Sequence, residues 1–345
     1  MNTKVQIYGT LGPACKNQVI LEQMFLTGLS GMRLNLSHTG LRESEEIVAN
    51  FRNAAKTVGI LPQLLIDMQG PELRVGDLPE AIRLCEDNSV LLAAADVRGK
   101  IDDSDIQQIP VPAEVIRTIE SGDEILLDDG KLLVKAEECQ CDFVICRVVR
   151  GGKLTGHKSV KIVGKQVEMP VLTPHDLENI RLAKEYGVTG LMQPFVRSGK
   201  DLALVRQMLI ENDAERVQIF AKIENRAALD ELEGIIREAD VIIIARGDLG
   251  NDMNLWELPA VQKDIEAACR KADKPFIVVT QMLASMEENP VPTRAEVSDI
   301  FNAVTDGAYG VMITGESAVG KYPVEAIKYL ANTANMAVEW MEKQN

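Results

Sequence analysis

The stretch Val241-Ile242-Ile243-Ile244-Ala245-Arg246-Gly247-Asp248-Leu249-Gly250 joins an unbroken apolar run to a polar, glycine-rich end. Short continuous apolar runs are typical of strands in parallel sheets, because both faces of such sheets are buried. Seven other segments combine a Val/Ile/Leu-rich run with a polar end in the same way. The eight strands predicted on this basis are 5–8, 32–35, 64–67, 190–193, 218–223, 241–246, 276–280 and 311–314.

Amphipathic helical stretches lie between most of these strands. They cover residues 18–26, 41–58, 176–186, 201–211, 227–239, 261–272 and 295–306, and an eighth stretch at 324–343 closes the chain. Alternating βα units in this number favour an α/β fold of the (β/α)8 TIM barrel type. An open doubly wound sheet is the alternative.

Residues 72–167 interrupt this alternation after the third strand. Alternating Val and Leu residues, the turn signal Asp129-Gly130 and the break at Gly151-Gly152 predict several antiparallel strands. Removing these residues from the chain of 345 leaves a length close to the roughly 250 residues of a typical TIM barrel. We therefore expect a barrel formed by 1–71 and 168–345, with 72–167 inserted as a small β-barrel-like domain.

The bulk composition excludes several classes of function. A net charge of −15 argues against nucleic acid or an anionic membrane as a partner, since both require a broad basic surface. Six scattered cysteines and three distant histidines show neither a disulfide framework nor zinc-ligand spacing. The start of the chain lacks the pattern of a signal peptide, and no uninterrupted apolar stretch is long enough for a membrane span. A cytoplasmic protein is expected.

Polar side chains concentrate at the predicted strand ends, where a TIM barrel gathers its active site. Glu224 and Asp248 follow adjacent strands, and two such carboxylates suit Mg²⁺ completed by water and substrate oxygens. Arg33, Arg74 and Lys222 would add cations around the same mouth. This mixture suits phosphoryl transfer, in which catalysis is mainly positioning and charge neutralisation. A structural ring of salt bridges is the alternative interpretation.

Two glycine-rich segments differ in what they indicate. In 246–250 the glycines would let backbone amides approach an anion, and the buried run before them strengthens this interpretation. Residues 315–321 match a P-loop up to the last position, where Tyr322 replaces the required Ser or Thr. We interpret this second segment as a loop bordering the site.

Seven motifs occur in one order along the chain: Thr10-Leu11-Gly12-Pro13-Ala14, Met32-Arg33-Leu34-Asn35-Leu36-Ser37-His38, Gly70-Pro71-Glu72-Leu73-Arg74, Lys222-Ile223-Glu224-Asn225, Ala245-Arg246-Gly247-Asp248-Leu249-Gly250, Thr280-Gln281-Met282-Leu283 and Pro292-Thr293-Arg294-Ala295-Glu296. Together they resemble the pyruvate kinase family. The resemblance implies a glycolytic phosphoryl transfer from phosphoenolpyruvate to ADP, giving pyruvate and ATP, with Mg²⁺ (or Mn²⁺) and K⁺ as cofactors.

The resemblance also implies roles for individual residues. Lys222 would stabilise the transferring phosphoryl group and the enolate, Arg33 would contact the phosphoryl group, and Thr280 would orient the substrate carboxylate near the carbon that is protonated. The implied binding residues are Glu224 and Asp248 for Mg²⁺, Gly247 and Asp248 for the substrate, Asn35, Ser37, Asp67 and the Met68 carbonyl for K⁺, and Pro13, Asn35, His38, Arg74 and Lys158 for the nucleotide. Asp128 or Asp129 would approach the nucleotide-bound metal when the inserted domain closes as a lid and excludes water.

Several positions depart from the family pattern. Met68 and Gln69 replace a usual Thr-Lys pair, and Pro194 replaces a small hydroxyl residue beside the expected phosphoryl site. The hydroxyls of Thr314 and Ser317 are exchanged relative to the usual Ser and Thr, and Lys161 and Val163 alter the end of the inserted domain. The usual C-terminal effector domain is absent from this sequence, from which we expect unregulated, hyperbolic kinetics and a small homo-oligomer such as a dimer.

Two other functions remain open at this stage. A metal-dependent lyase or aldolase acting on an enolate would use the same carboxylate-bound Mg²⁺, although it would not need the inserted domain or Arg74. A catalytically weak pyruvate-kinase-like binding protein is suggested by Pro194, Gln69 and the missing domain. An assay for pyruvate and ATP formation separates these possibilities.

Glu72 predicts a requirement for potassium. Family members with Glu at this position resemble the K⁺-requiring kind, and members with Lys the K⁺-independent kind. Two anionic substrates would bind at the barrel mouth close to four carboxylates, those of Asp67, Glu72, Glu224 and Asp248. A monovalent cation or a lysine ammonium would offset the resulting repulsion between negative charges. The alternative is that Glu72 only pairs with Arg74.

Overall fold

The computed structural model describes residues 5–37, 39–71, 73–94, 106–128, 130–165 and 167–344. The chain divides into two compact units. The first combines Met1–Gly70 with Val171–Asn345, and the second is Pro71–Pro170.

The strands, in chain order, are β1 (Gln6–Thr10), β2 (Gly31–Asn35), β3 (Gln63–Asp67), β4 (Ile82–Leu84), β5 (Ser89–Ala94), β6 (Gln107–Val111), β7 (Glu124–Leu127), β8 (Leu132–Cys139), β9 (Phe143–Arg150), β10 (Gly152–Leu154), β11 (Val160–Ile162), β12 (Gly190–Gln193), β13 (Gln218–Ile223), β14 (Val241–Ala245), β15 (Phe276–Val279) and β16 (Gly310–Met312).

The α-helices are α1 (Gln18–Leu26), α2 (Glu45–Val58), α3 (Ala113–Thr118), α4 (Pro174–Leu182), α5 (Gly199–Glu211), α6 (Arg226–Asp230), α7 (Leu232–Glu238), α8 (Arg246–Asn251), α9 (Leu258–Lys271), α10 (Arg294–Thr305), α11 (Gly315–Ala318) and α12 (Pro323–Gln344). Short 3₁₀ turns occur at Pro13–Cys15 and Ala284–Glu287. No helix within the described ranges has the length and apolarity needed to cross a membrane.

The first unit is a closed barrel of eight parallel strands in the order β1-β16-β15-β14-β13-β12-β3-β2. Strand β14 is apolar throughout because both of its faces are buried. Val241, Ile243 and Ala245 belong to the cluster inside the barrel, whereas Ile242 and Ile244 belong to the cluster between the strands and the helices. Because successive side chains point to opposite faces, a barrel strand covered by helices needs apolar residues at both parities.

The predicted fold class is confirmed by this closed barrel and its separate sheet unit. Some helix boundaries differ from prediction. The predicted helix 41–58 begins only at Glu45, after a turn, and the predicted helix 227–239 is two helices, α6 and α7, which meet at Glu231. Helix α4 begins at Pro174 because Thr173 and Asp176 form a capping box, in which each side chain accepts the backbone N–H of the other residue.

The second unit contains a six-stranded sheet in the order β11-β7-β8-β9-β5-β6 and a two-stranded sheet of β10 and β4. Its strand pairs are antiparallel with one exception among the named strands, since β5 and β6 pair in parallel. The expectation of antiparallel strands was wrong for that pair. Residues 95–106 separate the two strands, about the dozen residues that a parallel crossover needs.

Candidate active site

Four charged side chains from three barrel strands form a connected network at the carboxyl ends of those strands. Lys222 lies in β13 with the same parity as the interior Phe220, and Asp67 ends β3 with the same parity as the interior Leu65. Alternation therefore directs both charged side chains toward the barrel mouth. Strand β12 lies between β3 and β13, so that the Lys222 side chain spans one strand to reach Asp67.

Asp67 is held by two cations. The Nε and Nη2 atoms of Arg33 each lie 2.7 Å from Asp67 Oδ2, and Lys222 Nζ lies 3.3 Å from both carboxylate oxygens. The Asp67 side chain is only 3% exposed. Burial by itself raises the pKa of Asp67, but the charges of Lys222 and Arg33 outweigh it and lower the pKa below its ordinary value. The two cations therefore favour the charged form of Asp67.

Lys222 also contacts a second carboxylate, with its Nζ 2.9 Å from Glu224 Oε1. Burial disfavours the ammonium, yet Asp67 and Glu224 together raise the pKa of Lys222 above its ordinary value. A buried cation between two carboxylates remains protonated at neutral pH. It can stabilise developing negative charge, but it is unsuited to be a general base.

Glu224 has the features of a metal ligand. Its Oε2 accepts a hydrogen bond from the Phe195 amide at 2.8 Å, whereas the buried Oε1 has the ion pair with Lys222 but no well-directed hydrogen bond among the described residues. Burial raises the pKa of Glu224 to about 7; Lys222 opposes this rise, and the charges of Asp248 and Asp67 add to it. A divalent cation beside Glu224 would relieve the repulsion between the carboxylates.

Asp248 approaches the same region from α8 and is exposed, with its charge acting on Glu224. No group of three or more His, Cys, Asp or Glu residues suited to a metal ion occurs in the part of the chain that is described. The role of Glu224 and Asp248 as Mg²⁺ ligands, completed by water and substrate oxygens, stays a prediction.

The loop after β15 has an unusual backbone. Thr280 and Gln281 have φ angles of 80° and 56°, in the left-handed region that β-branched residues such as threonine rarely occupy. The Thr280 carbonyl accepts hydrogen bonds from Arg246 Nε at 3.1 Å and Nη2 at 2.7 Å. Gly247 lies against the same threonine, since a Cβ atom there would be 3.0 Å from Thr280 Cγ2. The loops after β14 and β15 therefore fit together closely.

A family model described as the barrel domain of pyruvate kinase matches residues 2–327. The chain belongs to the pyruvate kinase family. Three relatives named pyruvate kinase illustrate this membership. The protein from Agrobacterium vitis is 35% identical over 96% of this chain and 68% of its own length. Those from Geobacillus stearothermophilus and Thermococcus litoralis are each 36% identical, over 100% and 98% of this chain and 59% and 70% of their own lengths. The chain thus spans roughly three fifths to two thirds of these pyruvate kinases.

The family's predicted K⁺ ligands begin on neighbouring strands, since Asn35 of β2 pairs in register with Asp67 of β3. Asn35 Oδ1 accepts hydrogen bonds from the Ser37 amide at 3.2 Å and the Ser37 hydroxyl at 2.9 Å. Met68 follows directly, and its side chain is buried. The predicted ligand atoms are the side-chain oxygens of the first three residues and the backbone carbonyl of Met68, and a hard cation prefers oxygen ligands. Their role as K⁺ ligands stays a prediction.

The predicted nucleotide residues are distributed over both units. Pro13 is exposed in the turn after β1 and Asn35 ends β2, whereas Arg74 and Lys158 belong to the second unit. Within that unit, Arg74 Nη1 donates to the His157 carbonyl at 2.6 Å, and Lys158 Nζ lies 2.9 Å from Asp128 Oδ1. Whether these groups bind a nucleotide stays a prediction. His38, Glu72 and Asp129 lie outside the described residues.

The segment 315–321 borders the barrel mouth without the arrangement of a P-loop. Glu316 is buried and accepts hydrogen bonds from the Leu283 amide at 3.0 Å and the Thr314 amide at 2.8 Å. Ser317 is also buried and accepts the Thr10 amide at 2.8 Å. Lys321 pairs with Glu288 and is largely exposed. The glycine-rich turn therefore joins the loops after β1, β15 and β16.

Two aspartates near the site were missed by the sequence analysis. Asp176, fully buried at the start of α4, accepts the amides of Gln69 at 2.8 Å, Gly70 at 3.0 Å and Thr173 at 2.8 Å. Asp299 of α10 pairs with Arg246 at 2.7 Å. The N3 position of a capping box marked Asp176 as a helix start, but its contact with the loop after β3 has no local sequence signal.

The departures at Gln69 and Pro194 have structural counterparts. The Gln69 side chain accepts a hydrogen bond from the Thr173 hydroxyl at 3.2 Å, so that it joins the same hydrogen-bond network as Asp176. Pro194 packs against Gly70, where a Cβ atom would lie 2.5 Å from the proline Cγ. The glycine is needed there, because its φ of 60° also disfavours other residues.

Proposed function

We propose that this chain is a pyruvate kinase, which transfers a phosphoryl group from phosphoenolpyruvate to ADP and yields pyruvate and ATP. The observation that carries the proposal is the buried Lys222 ammonium between Asp67 and Glu224, with Arg33 on the other side of Asp67. This arrangement places fixed positive charge beside the buried Glu224 carboxylate at one end of a barrel. Phosphoryl transfer between two anions needs both.

Lys222 acts electrostatically in this mechanism. Its ammonium faces the bridging oxygen and the phosphoryl group, where negative charge develops as the enolate of pyruvate departs. The flanking carboxylates hold the ammonium in one position before the substrate arrives, so that little reorganisation is needed in the transition state. The proton that converts the enolate to pyruvate must come from another donor, since the ammonium between two anions keeps its own proton.

Arg33 and Thr280 bind the two ends of phosphoenolpyruvate. Arg33 points Nε and Nη2 at Asp67, and its Nη1 donates to the Thr10 hydroxyl at 3.4 Å. Because a guanidinium has five N–H groups, others would meet phosphoryl oxygens. Thr280 would donate its hydroxyl to the substrate carboxylate, with the adjacent Gly247 allowing close approach. Holding both ends fixes the reacting carbon and the bridging oxygen relative to Lys222.

Glu224 and Asp248 would hold Mg²⁺ or Mn²⁺, which supplies Lewis-acid stabilisation of substrate oxygens when it is bound. The Phe195 amide fixes one carboxylate oxygen of Glu224, and the other oxygen lies 2.9 Å from Lys222 Nζ. Asn35, Ser37, Asp67 and the Met68 carbonyl would hold K⁺. Pro13, Asn35, His38, Arg74 and Lys158 are the proposed nucleotide contacts. A cytoplasmic location and a homo-oligomeric state remain predictions of the sequence.

The test of the proposed function is direct. Purified protein is incubated with phosphoenolpyruvate, ADP, Mg²⁺ and K⁺, and pyruvate and ATP are measured together. Formation of both in equal amounts is expected. Tight binding of phosphoenolpyruvate without product would instead favour a binding protein, to which the absence of a hydroxyl at Pro194 would contribute. Enolate chemistry without nucleotide would favour a lyase or aldolase.

The proposed potassium requirement has its own test. Turnover is measured with a bulky organic cation as the only monovalent cation, and K⁺ is then added, for the wild-type protein and for Glu72→Lys. Strong activation of the wild type and much weaker activation of the variant are expected, because a lysine ammonium would supply the missing positive charge. Full wild-type activity without K⁺ would refute this part of the proposal.

A further inference from the structure

The strained turn after β15 is held by a guanidinium from the neighbouring loop. Arg246 is the first residue of α8, and two of its N–H groups converge on the carbonyl of Thr280. Nη2 also lies 2.9 Å from the sulfur of the buried Met282. A left-handed threonine persists only where its surroundings over-determine the conformation. Arg246 supplies that constraint from outside the turn.

Asp299 orients Arg246 from the opposite side. Its Oδ1 and Oδ2 lie 2.9 Å and 2.7 Å from Nη1 of the guanidinium. The Arg246 side chain is only 14% exposed, so that its planar group is fixed between the aspartate and the carbonyl. Because a guanidinium presents its donors in a rigid fork, two partners at different edges define both its position and its plane.

The Thr280 side chain is constrained by a separate contact. Its Cγ2 methyl lies against Gly247, the residue after Arg246, where an added Cβ atom would be only 3.0 Å from that methyl. The backbone of Thr280 is therefore held by the guanidinium and its methyl by the glycine. The two contacts together restrict the backbone of Thr280 and the rotation of its side chain.

We propose that Arg246, oriented by Asp299, is a positioning residue that keeps Thr280 in the conformation required to bind the substrate carboxylate. This inference rests on the proposed function for the role of Thr280. Arg246 does not touch the substrate. It acts through the Thr280 carbonyl and ties the loop that carries Asp248 to the loop that carries Thr280.

The chain offers a matched control in Arg206. That arginine also joins a backbone carbonyl, of Val217 at 3.3 Å, to an aspartate, Asp240 at 2.6 Å, and its side chain is 29% exposed against 14% for Arg246. Val217 precedes β13 and Asp240 precedes β14, so that this pair lies at the opposite ends of the strands from the proposed site. Replacement of either arginine by lysine keeps the charge and removes the fork.

The experiment compares Arg246→Lys, Asp299→Asn and Arg206→Lys. For Arg246→Lys we expect kcat to fall on the order of 10-fold, with a smaller change in the KM for phosphoenolpyruvate, because misplacement of a positioning group mainly affects the reacting geometry. Exchange of the methyl protons of pyruvate with solvent deuterium should slow to a similar extent. Asp299→Asn should shift both quantities in the same direction by less, and Arg206→Lys should leave both within about 2-fold.

A second measurement does not depend on turnover. Hydrogen–deuterium exchange of the backbone amides in 280–283 should be faster in Arg246→Lys and Asp299→Asn than in the wild type, and unchanged in Arg206→Lys. An inactive wild type would overturn the proposed function while this measurement still tests the constraint on Thr280. Unchanged amide exchange in both site variants, or faster exchange with unaltered kcat, would overturn the positioning role of Arg246.

Discussion

Both units of the molecule contain a carboxylate between two cations, but the surroundings differ. In the barrel, Asp67 lies between Arg33 and Lys222, whose side chains are 15% and 13% exposed. In the second unit, Asp128 lies between Lys131 and Lys158, at 3.2 Å and 2.9 Å, and these lysines are 67% and 41% exposed. The distances are similar in the two clusters.

Because the contact distances are similar, we expect the exposure of the cations to set the difference in strength between the two clusters. Water screens the exposed lysines, and exposed ion pairs contribute only about 0.2–1 kcal/mol. Loss of one partner of a buried pair costs about 3–5 kcal/mol, because an uncompensated charge remains in a medium of low dielectric constant. The lowered pKa of Asp128, which Lys158 and Lys131 cause against the effect of burial, therefore indicates little about stability.

The largest expected effect is that of removing the central cation of the buried cluster. Lys222→Met should lower kcat by at least on the order of 10²-fold, with less effect on the KM for phosphoenolpyruvate, because a preorganised charge-stabilising group is lost. Steady-state kinetics check this expectation, and denaturant unfolding reports the accompanying loss of stability. Near-wild-type turnover would remove Lys222 from the mechanism and weaken the contrast between the clusters.

The next effect concerns the carboxylate at the end of the same cluster. Glu224→Gln keeps the shape and removes the charge, so that the Mg²⁺ concentration for half-maximal activity should rise at least about 10-fold. Binding of Mn²⁺ followed by electron paramagnetic resonance measures the affinity without turnover. Asp252→Asn serves as a control, since Asp252 accepts the Arg226 amide and is not among the proposed ligands. Unchanged Mn²⁺ affinity in Glu224→Gln would contradict the proposed seat.

A third carboxylate, in the barrel unit, is buried and is held by backbone amides instead of by cations. The Asp176 carboxylate accepts three backbone amides, from Gln69, Gly70 and Thr173. Asp176→Ala leaves these donors without their acceptor and should destabilise the protein by about 1–3 kcal/mol, measured by denaturant unfolding. Asp176→Asn, which keeps one oxygen acceptor, should lose less. Equal stability of the wild type and both variants would show that water replaces the carboxylate as the acceptor of these amides.

The smallest effects are expected in the exposed cluster around Asp128. Replacing each of its two lysines in turn distinguishes an effect on nucleotide binding from an effect on stability. Lys158→Met should raise the KM for ADP a few-fold through loss of a proposed phosphate contact, whereas Lys131→Met should leave it unchanged. Both substitutions should alter the free energy of unfolding by no more than about 1 kcal/mol. Equal KM values for ADP in the two variants would exclude Lys158 from nucleotide binding.

Much of the fold was predictable from local patterns. The apolar run 241–245, and runs like it, predicted strands because a barrel strand buries both faces, and the polar residues after those runs predicted the end of the barrel that carries the site. The break between α6 and α7 and the parallel pairing of β5 with β6 were not predicted. Neither feature has a local sequence pattern as strong as the apolar run of a buried strand.

The sequence by itself determined the order of the barrel strands, the strand ends at which Lys222 and Asp67 lie, and membership of the pyruvate kinase family, because these depend on periodicity and on motifs within short segments. Only the tertiary structure decided that Lys222 spans β12 to reach Asp67, that Asp299 orients Arg246, and that Thr280 adopts a positive φ. Distances between groups far apart in sequence depend on how the strands close into a barrel and how the loops pack. No single segment encodes that geometry.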